Sequence, residues 1–128
     1  MTNTAPKKIF IVDDDEMFKL LLSTHLKTNE QNTVRVFSTG EACLDALSEN
    51  PDIIILDYNL NSVSRNAADG MQILQAIKKQ NHRIHVIMLS SQESYGTALK
   101  TITKGAEQYV IKGNDALEKI ENIIGQLN

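Results

Sequence analysis

A single cysteine, Cys43, excludes an internal disulfide framework. No His or Cys stands near it at ligand spacing, so it reads as a small apolar helix residue. With only 13 Lys and Arg against 16 Asp and Glu, no face can be strongly basic. That argues against direct binding to nucleic acid or to a membrane surface. No apolar run approaches the roughly 20 residues of a spanning helix, and MTNTAPKK lacks the apolar core of a signal peptide. The cytoplasm is the default compartment. Repeats, low-complexity tracts and linkers rich in Pro, Gly or Ser are also absent. G-x-G-x-x-G is missing too, so a dinucleotide enzyme is unsupported.

What is present is an ordinary globular composition in 128 residues, 41% apolar and 23% charged, enough for one domain over 1–128 with a real core. Strands are expected near 8–12, 33–37, 53–57, 85–89 and 108–111. Between them run helical patterns. Met17, Leu20, Leu21 and Leu22 give an apolar face between Glu16 and Thr28. Cys43, Leu44 and Leu47 mark a short helix over 41–48, and Pro51 breaks the chain before IIIL. Asp69-Gly70 opens a third helix carrying Met71, Ile73, Leu74 and Ile77. Ser94 to Thr103 forms a fourth, ended by Gly105. Leu117, Ile120, Ile123, Ile124 and Leu127 stripe the last one. Strands alternating with helices predict an α/β fold, a doubly wound parallel sheet with helices on both faces.

In such sheets functional groups gather beyond the carboxyl ends of the strands. Those ends carry Asp13-Asp14-Asp15, Asp57, Ser90-Ser91 and Lys112. In IFIVDDDE a buried strand runs straight into four carboxylates. At an effective dielectric of about 20, two like charges roughly 5 Å apart repel by about 3 kcal/mol. A hard divalent cation with oxygen ligands relieves Asp13, Asp14 and Asp57, and Mg²⁺ (or Mn²⁺) suits a site with few carboxylates and room for phosphate oxygens. Lys112 can pair with one acid and with an incoming anion, and a Ser hydroxyl adds a neutral donor. Together these groups can stabilise a transferring phosphoryl group, with a carboxylate as nucleophile. Asp57, after the central strand, suits that role. Asp15 is expected to cap the first helix, with Glu16 in its first turn.

The chain resembles the receiver domain of bacterial two-component response regulators, the single-domain chemotaxis regulator among them. VDDD after the first strand, IIILDYN after the third, LSS after the fourth and GAEQYVIK around the fifth carry the resemblance. It implies a flavodoxin-like strand order 2-1-3-4-5 and makes Asp57 the phosphoacceptor. Asp13 and Asp14 become the acidic metal pair, with the Asn59 backbone carbonyl a further ligand. Ser90 becomes the hydroxyl that contacts the phosphoryl group. Lys112 becomes the family's lysine, and Tyr109 its aromatic switch, which alters the fourth helix, fifth strand and fifth helix. Asn59 and Gln92 fall where the family tunes acyl-phosphate hydrolysis. The implied partners are a histidine kinase or histidine phosphotransfer protein, and a downstream protein target or fused output domain. The module is a signalling device rather than an enzyme of metabolism.

Two positions depart from the family pattern. Gly70 stands thirteen positions after Asp57 instead of eight, lengthening the loop NLNSVSRNAAD, where Arg65 is a candidate modulator of access. Gly113 replaces the usual Pro after Lys112, so a trans bond is expected there. A rival reading is an aspartyl-phosphate phosphohydrolase of small phosphoesters, disfavoured because Asp57-Tyr58-Asn59 lacks a second acid. A flavin-binding module is disfavoured because the triple Asp would repel a phosphate arriving without metal. The chain stops at the fifth helix, so a single-domain regulator and a piece of a longer protein both stay open.

Overall fold

Runs of β-branched residues build the centre of the molecule. The computed structural model describes residues 6–60 and 68–127; the loop containing Arg65 lies outside them. The strands are β1 (Lys7–Val12), β2 (Asn32–Phe37), β3 (Ile53–Asp57), β4 (His85–Ser90) and β5 (Gln108–Ile111). The helices are α1 (Glu16–Lys27), α2 (Gly40–Asp45), α3 (Gly70–Gln80), α4 (Tyr95–Thr103) and α5 (Ala116–Gln126). All strand pairs are parallel, in the order β2-β1-β3-β4-β5. This is the flavodoxin-like arrangement.

Alternation within each strand divides the core in two. Phe10, Val12, Ile54, Leu56, Val86 and Met88 face Cys43, Ile73, Leu74 and Ile77 of α2 and α3. Ile9, Ile11, Ile55, Ile87 and Leu89 face Leu22 and Leu26 of α1 and Ile120 and Ile124 of α5. Each such aliphatic side chain contributes about 1.5–3 kcal/mol on full burial. The central strand β3 is buried along its whole length, which holds Asp57 at its end rigidly.

The apolar stripe expected to face inward on α1 is corrected. Met17, Leu20 and Leu21 are 65%, 61% and 51% exposed, while Leu22 and Leu26 are buried with Lys19 and Ser23. The helix carries two apolar stripes, and periodicity alone does not say which one meets the sheet. Lys19 tolerates burial because its ammonium donates to Glu16 and to Ser38 Oγ, and Ser23 Oγ donates to the Leu20 carbonyl.

The second helix is also shorter than expected. It ends at Asp45, and Leu47–Glu49 forms a 3-10 turn. Asn50 follows with φ +60. It precedes Pro51, whose ring disfavours the right-handed helical region at that position, and Asn tolerates the left-handed one. Gly105, at φ +111, ends α4 as expected. Asp69 opens α3 with a capping box shared with Gln72. Among the described residues, no helix is long and apolar enough to cross a membrane.

Candidate functional site

The ends of β1, β3 and β5 bring three carboxylates and one amine together. Oxygen atoms of Asp13, Asp14 and Asp57 all lie within 4.8 Å of one another. Asp13 and Asp57 are buried, and Asp14 is half-buried. Register explains the convergence. Val12 pairs with Leu56, so Asp13 and Asp57 leave adjacent strands at the same level. Lys112 arrives from the far side: its backbone N–H donates to the Ser90 carbonyl at 2.8 Å, prolonging the ladder one step past β5. Its ammonium stands 2.8 Å from Asp13 Oδ2 and 3.7 Å from Asp57 Oδ2.

Backbone donors fix the acids. Asp13 Oδ1 accepts from Asp15 N–H at 2.9 Å, and Asp57 Oδ1 accepts from Asn59 N–H at 3.2 Å. Asp15 caps α1, accepting from Met17 and Phe18 N–H, as the sequence predicts. The acidic run thus divides between site and helix start. Asp13 Oδ2 is short in distance to Lys112 but not aligned with it as a hydrogen bond, so this buried oxygen retains unused acceptor capacity.

The electrostatics follow from burial. Asp57 is pushed up to about 7, by desolvation first and by the charge of Asp13 second, with Lys112 pulling the other way. Burial works against the Lys112 ammonium. Its contact with Asp13 and the charges of Asp57 and Asp13 outweigh that and hold its pKa above the usual lysine value. Three clustered acids, two of them buried, one with a spare oxygen, form a donor set that fits a hard divalent cation such as Mg²⁺.

Ser90 is buried at the end of β4, but its hydroxyl is engaged in its own loop. It donates to the Gln92 carbonyl at 3.2 Å and accepts from Gln92 N–H at 3.1 Å. The half-buried Tyr109 donates its hydroxyl to the same Gln92 carbonyl at 2.9 Å. One backbone oxygen therefore ties Ser90 to Tyr109. Side-chain identity gives no sign of this, because the joining atom is main chain. His25 and His85 pair with Glu121 and Glu107, away from the acids, and His82 is exposed. No peptide bond among the described residues is cis, as expected for Lys112-Gly113.

Gly70 closes the floor of the site. Its N–H donates to the Tyr58 carbonyl at 3.0 Å. A Cβ there would lie 2.5 Å from the Asp57 carbonyl oxygen and 2.6 Å from Tyr58 Cα, both rigid backbone. Gly70→Ala is therefore expected to cost about 1–3 kcal/mol, read as a lower urea midpoint at unchanged slope. Wild-type stability in that variant would show that α3 does not need this approach. The exit of the long loop is held separately, where Ala68 N–H donates to Glu41 on α2 at 2.9 Å.

A family model described as the response regulator receiver domain matches residues 9–124. The chain is 28% identical over 122 residues to the response regulator protein VraR of Staphylococcus saprophyticus, covering 92% of this chain and 55% of that one. It is 32% identical to the heme response regulator HssR of Staphylococcus epidermidis, covering 88% of this chain and 48% of that one. It thus spans about half the length of these curated relatives. Among solved structures, the BeF3-activated DrrB receiver domain superposes with a TM-score of 0.80 at 28% identity, covering 93% of this chain and 94% of that one. The receiver domain of the Francisella response regulator 1452 gives 0.77 at 25% identity, covering 94% and 97%.

Proposed function

The chain belongs to the response regulator receiver domain family, whose general function is phosphorylation on aspartate, and from that premise we propose that Asp57 is the acceptor. The observation that carries this reading is the convergence of Asp13, Asp14 and Asp57 around the Lys112 ammonium. Asp57 Oδ attacks the phosphorus of a phosphohistidine on a kinase or phosphotransfer protein. The O–P bond forms, the N–P bond breaks, and the imidazole leaves as it takes up a proton. Lys112 neutralises charge on the phosphoryl oxygens, being already placed between two carboxylates. The Asp13, Asp14 and Asp57 carboxylates and the Asn59 carbonyl would hold Mg²⁺ (or Mn²⁺), which when bound supplies further positive charge beside those oxygens.

Ser90 then exchanges its Gln92 carbonyl for a phosphoryl oxygen. That loosens the oxygen it shares with Tyr109, and the Tyr109 ring turns inward. The surface altered is formed by α4, β5 and α5, where Tyr95, Leu99 and Ile102 of α4 stand exposed. A downstream protein or a joined output domain reads this face. Residues 1–128 act as one receiver unit, and the cytoplasm, where such donors work, is its compartment.

Incubation with Mg²⁺ and a small acyl-phosphate donor should add the mass of one phosphoryl group. The adduct should vanish with Asp57→Asn and with chelation of the metal. A wild-type protein that gains no mass would sink the proposal. Steady turnover of a small phosphoester would favour the phosphohydrolase instead.

A further inference from the structure

The Lys112 backbone is held by its N–H bond to the Ser90 carbonyl at 2.8 Å, but that bond leaves the long side chain to be aimed by other contacts. Gly113 follows with no side chain and a trans bond, and a Cβ there would meet nothing nearer than Asp115 Oδ1 at 3.9 Å. The two carboxylates beside the ammonium are also the expected cation ligands, and neither contact is an aligned hydrogen bond at close range. A third group touches the amine. The Phe18 ring lies with its centroid 4.9 Å from Lys112 Nζ, within the distance at which a ring face attracts a cation.

Phe18 is well held for such a task. Its N–H donates to the Asp15 cap at 3.2 Å, and its half-buried ring packs on the core between the sheet, α1 and α5. The ring is thus fixed to the same α1 entrance that follows Asp13 and Asp14. It attracts an ammonium without adding negative charge and without competing for a cation's coordination sites. A leucine would fill the space but offer no such face.

We propose that Phe18 is a positioning residue for the Lys112 ammonium, its ring face supplying a constraint that neither carboxylate supplies through an aligned hydrogen bond. The effect on rate rests on the reading that Lys112 serves phosphoryl transfer to Asp57. Held by the ring, the amine stays over the site when Asp13 and Asp57 are engaged elsewhere.

The test replaces Phe18 by site-specific incorporation of 3,4,5-trifluorophenylalanine, which keeps the ring's shape and drains electron density from its face. Initial phosphorylation rates with a small acyl phosphate are compared at saturating Mg²⁺. The fluorinated protein and Phe18→Leu should be about five-fold slower than wild type, and Phe18→Tyr within about two-fold of it. The thermal midpoint of the fluorinated protein should stay at the wild-type value. Independently of turnover, the Lys112 ε-methylene proton resonances, shielded by the ring, should move downfield in Phe18→Leu. Equal rates for fluorinated and wild-type protein, or unmoved Lys112 resonances, overturn the proposal. A wild type that takes no phosphoryl group overturns the parent reading instead, and the Lys112 resonances then decide the positioning claim alone.

Discussion

Replacing Lys112 by methionine should lower the stability of the metal-free protein by about 3–5 kcal/mol at pH 8, the cost of stripping a buried charge of its partner. Methionine keeps an unbranched chain of similar length, so packing against Phe18 changes little and charge dominates. The ammonium is the cation that contacts both Asp13 and Asp57, and both acids are buried. Without it their mutual repulsion is unopposed in a poorly solvated space. The folded variant therefore favours protonated acid more strongly than the unfolded chain does, and its deficit should shrink as pH falls toward 5. Urea unfolding at pH 8 and pH 5, in chelator, gives both values. A variant as stable as wild type at pH 8 would show that the pair contributes no net stability. The same variant should form no phosphoryl adduct, because no other described amine contacts Asp57.

Most of the fold was legible because its signals are local and redundant. Ile53 to Leu56 read as a buried strand from β-branching and the Pro51 break alone, and the order of strands and helices left few topologies. The acidic site was legible for a related reason. Strand ends in a parallel sheet share one rim, so Asp13, Asp14, Asp57 and Lys112 could be grouped from their places in the pattern. What was not legible depends on contacts between distant segments. Met17, Leu20 and Leu21 repeat at helical spacing as convincingly as Leu22 and Leu26. Only docking against β2 and α5 decides between the two stripes, and it favours the one whose Lys19 finds Glu16 and Ser38. Gly70 could be named as a helix start, but its closeness to the Asp57 carbonyl is a tertiary fact. Phe18 carried no signal at all, since its partner lies on the last strand's exit. The Gln92 carbonyl that joins Ser90 to Tyr109 is equally silent, because any residue would provide it.

In chelator, wild-type stability should fall as pH rises from about 4 to about 7, the reverse of what an ordinary paired carboxylate gives. The unfolded chain releases the Asp57 proton near 3.8, whereas burial and Asp13 make the folded protein keep it to about 7. Between those values the folded state binds more protons than the unfolded one, so each step upward in pH favours unfolding. The full displacement corresponds to at most about 4 kcal/mol, reached above pH 7 and absent below pH 4. The difference between wild type and Asp57→Asn isolates the contribution of this one carboxylate. Asp57→Asn should be the more stable protein at pH 8 and should lose that advantage by pH 4. Adding Mg²⁺ should raise the wild-type urea midpoint strongly at pH 8 and weakly at pH 5, since a carboxylate that retains its proton is a poor ligand. Asp57→Asn should respond less at pH 8. If wild type in chelator gains stability over Asp57→Asn between pH 5 and pH 8, then Asp57 is not held against ionisation. The idea that a bound cation offsets the cost of placing this acceptor in the core would then fail with it.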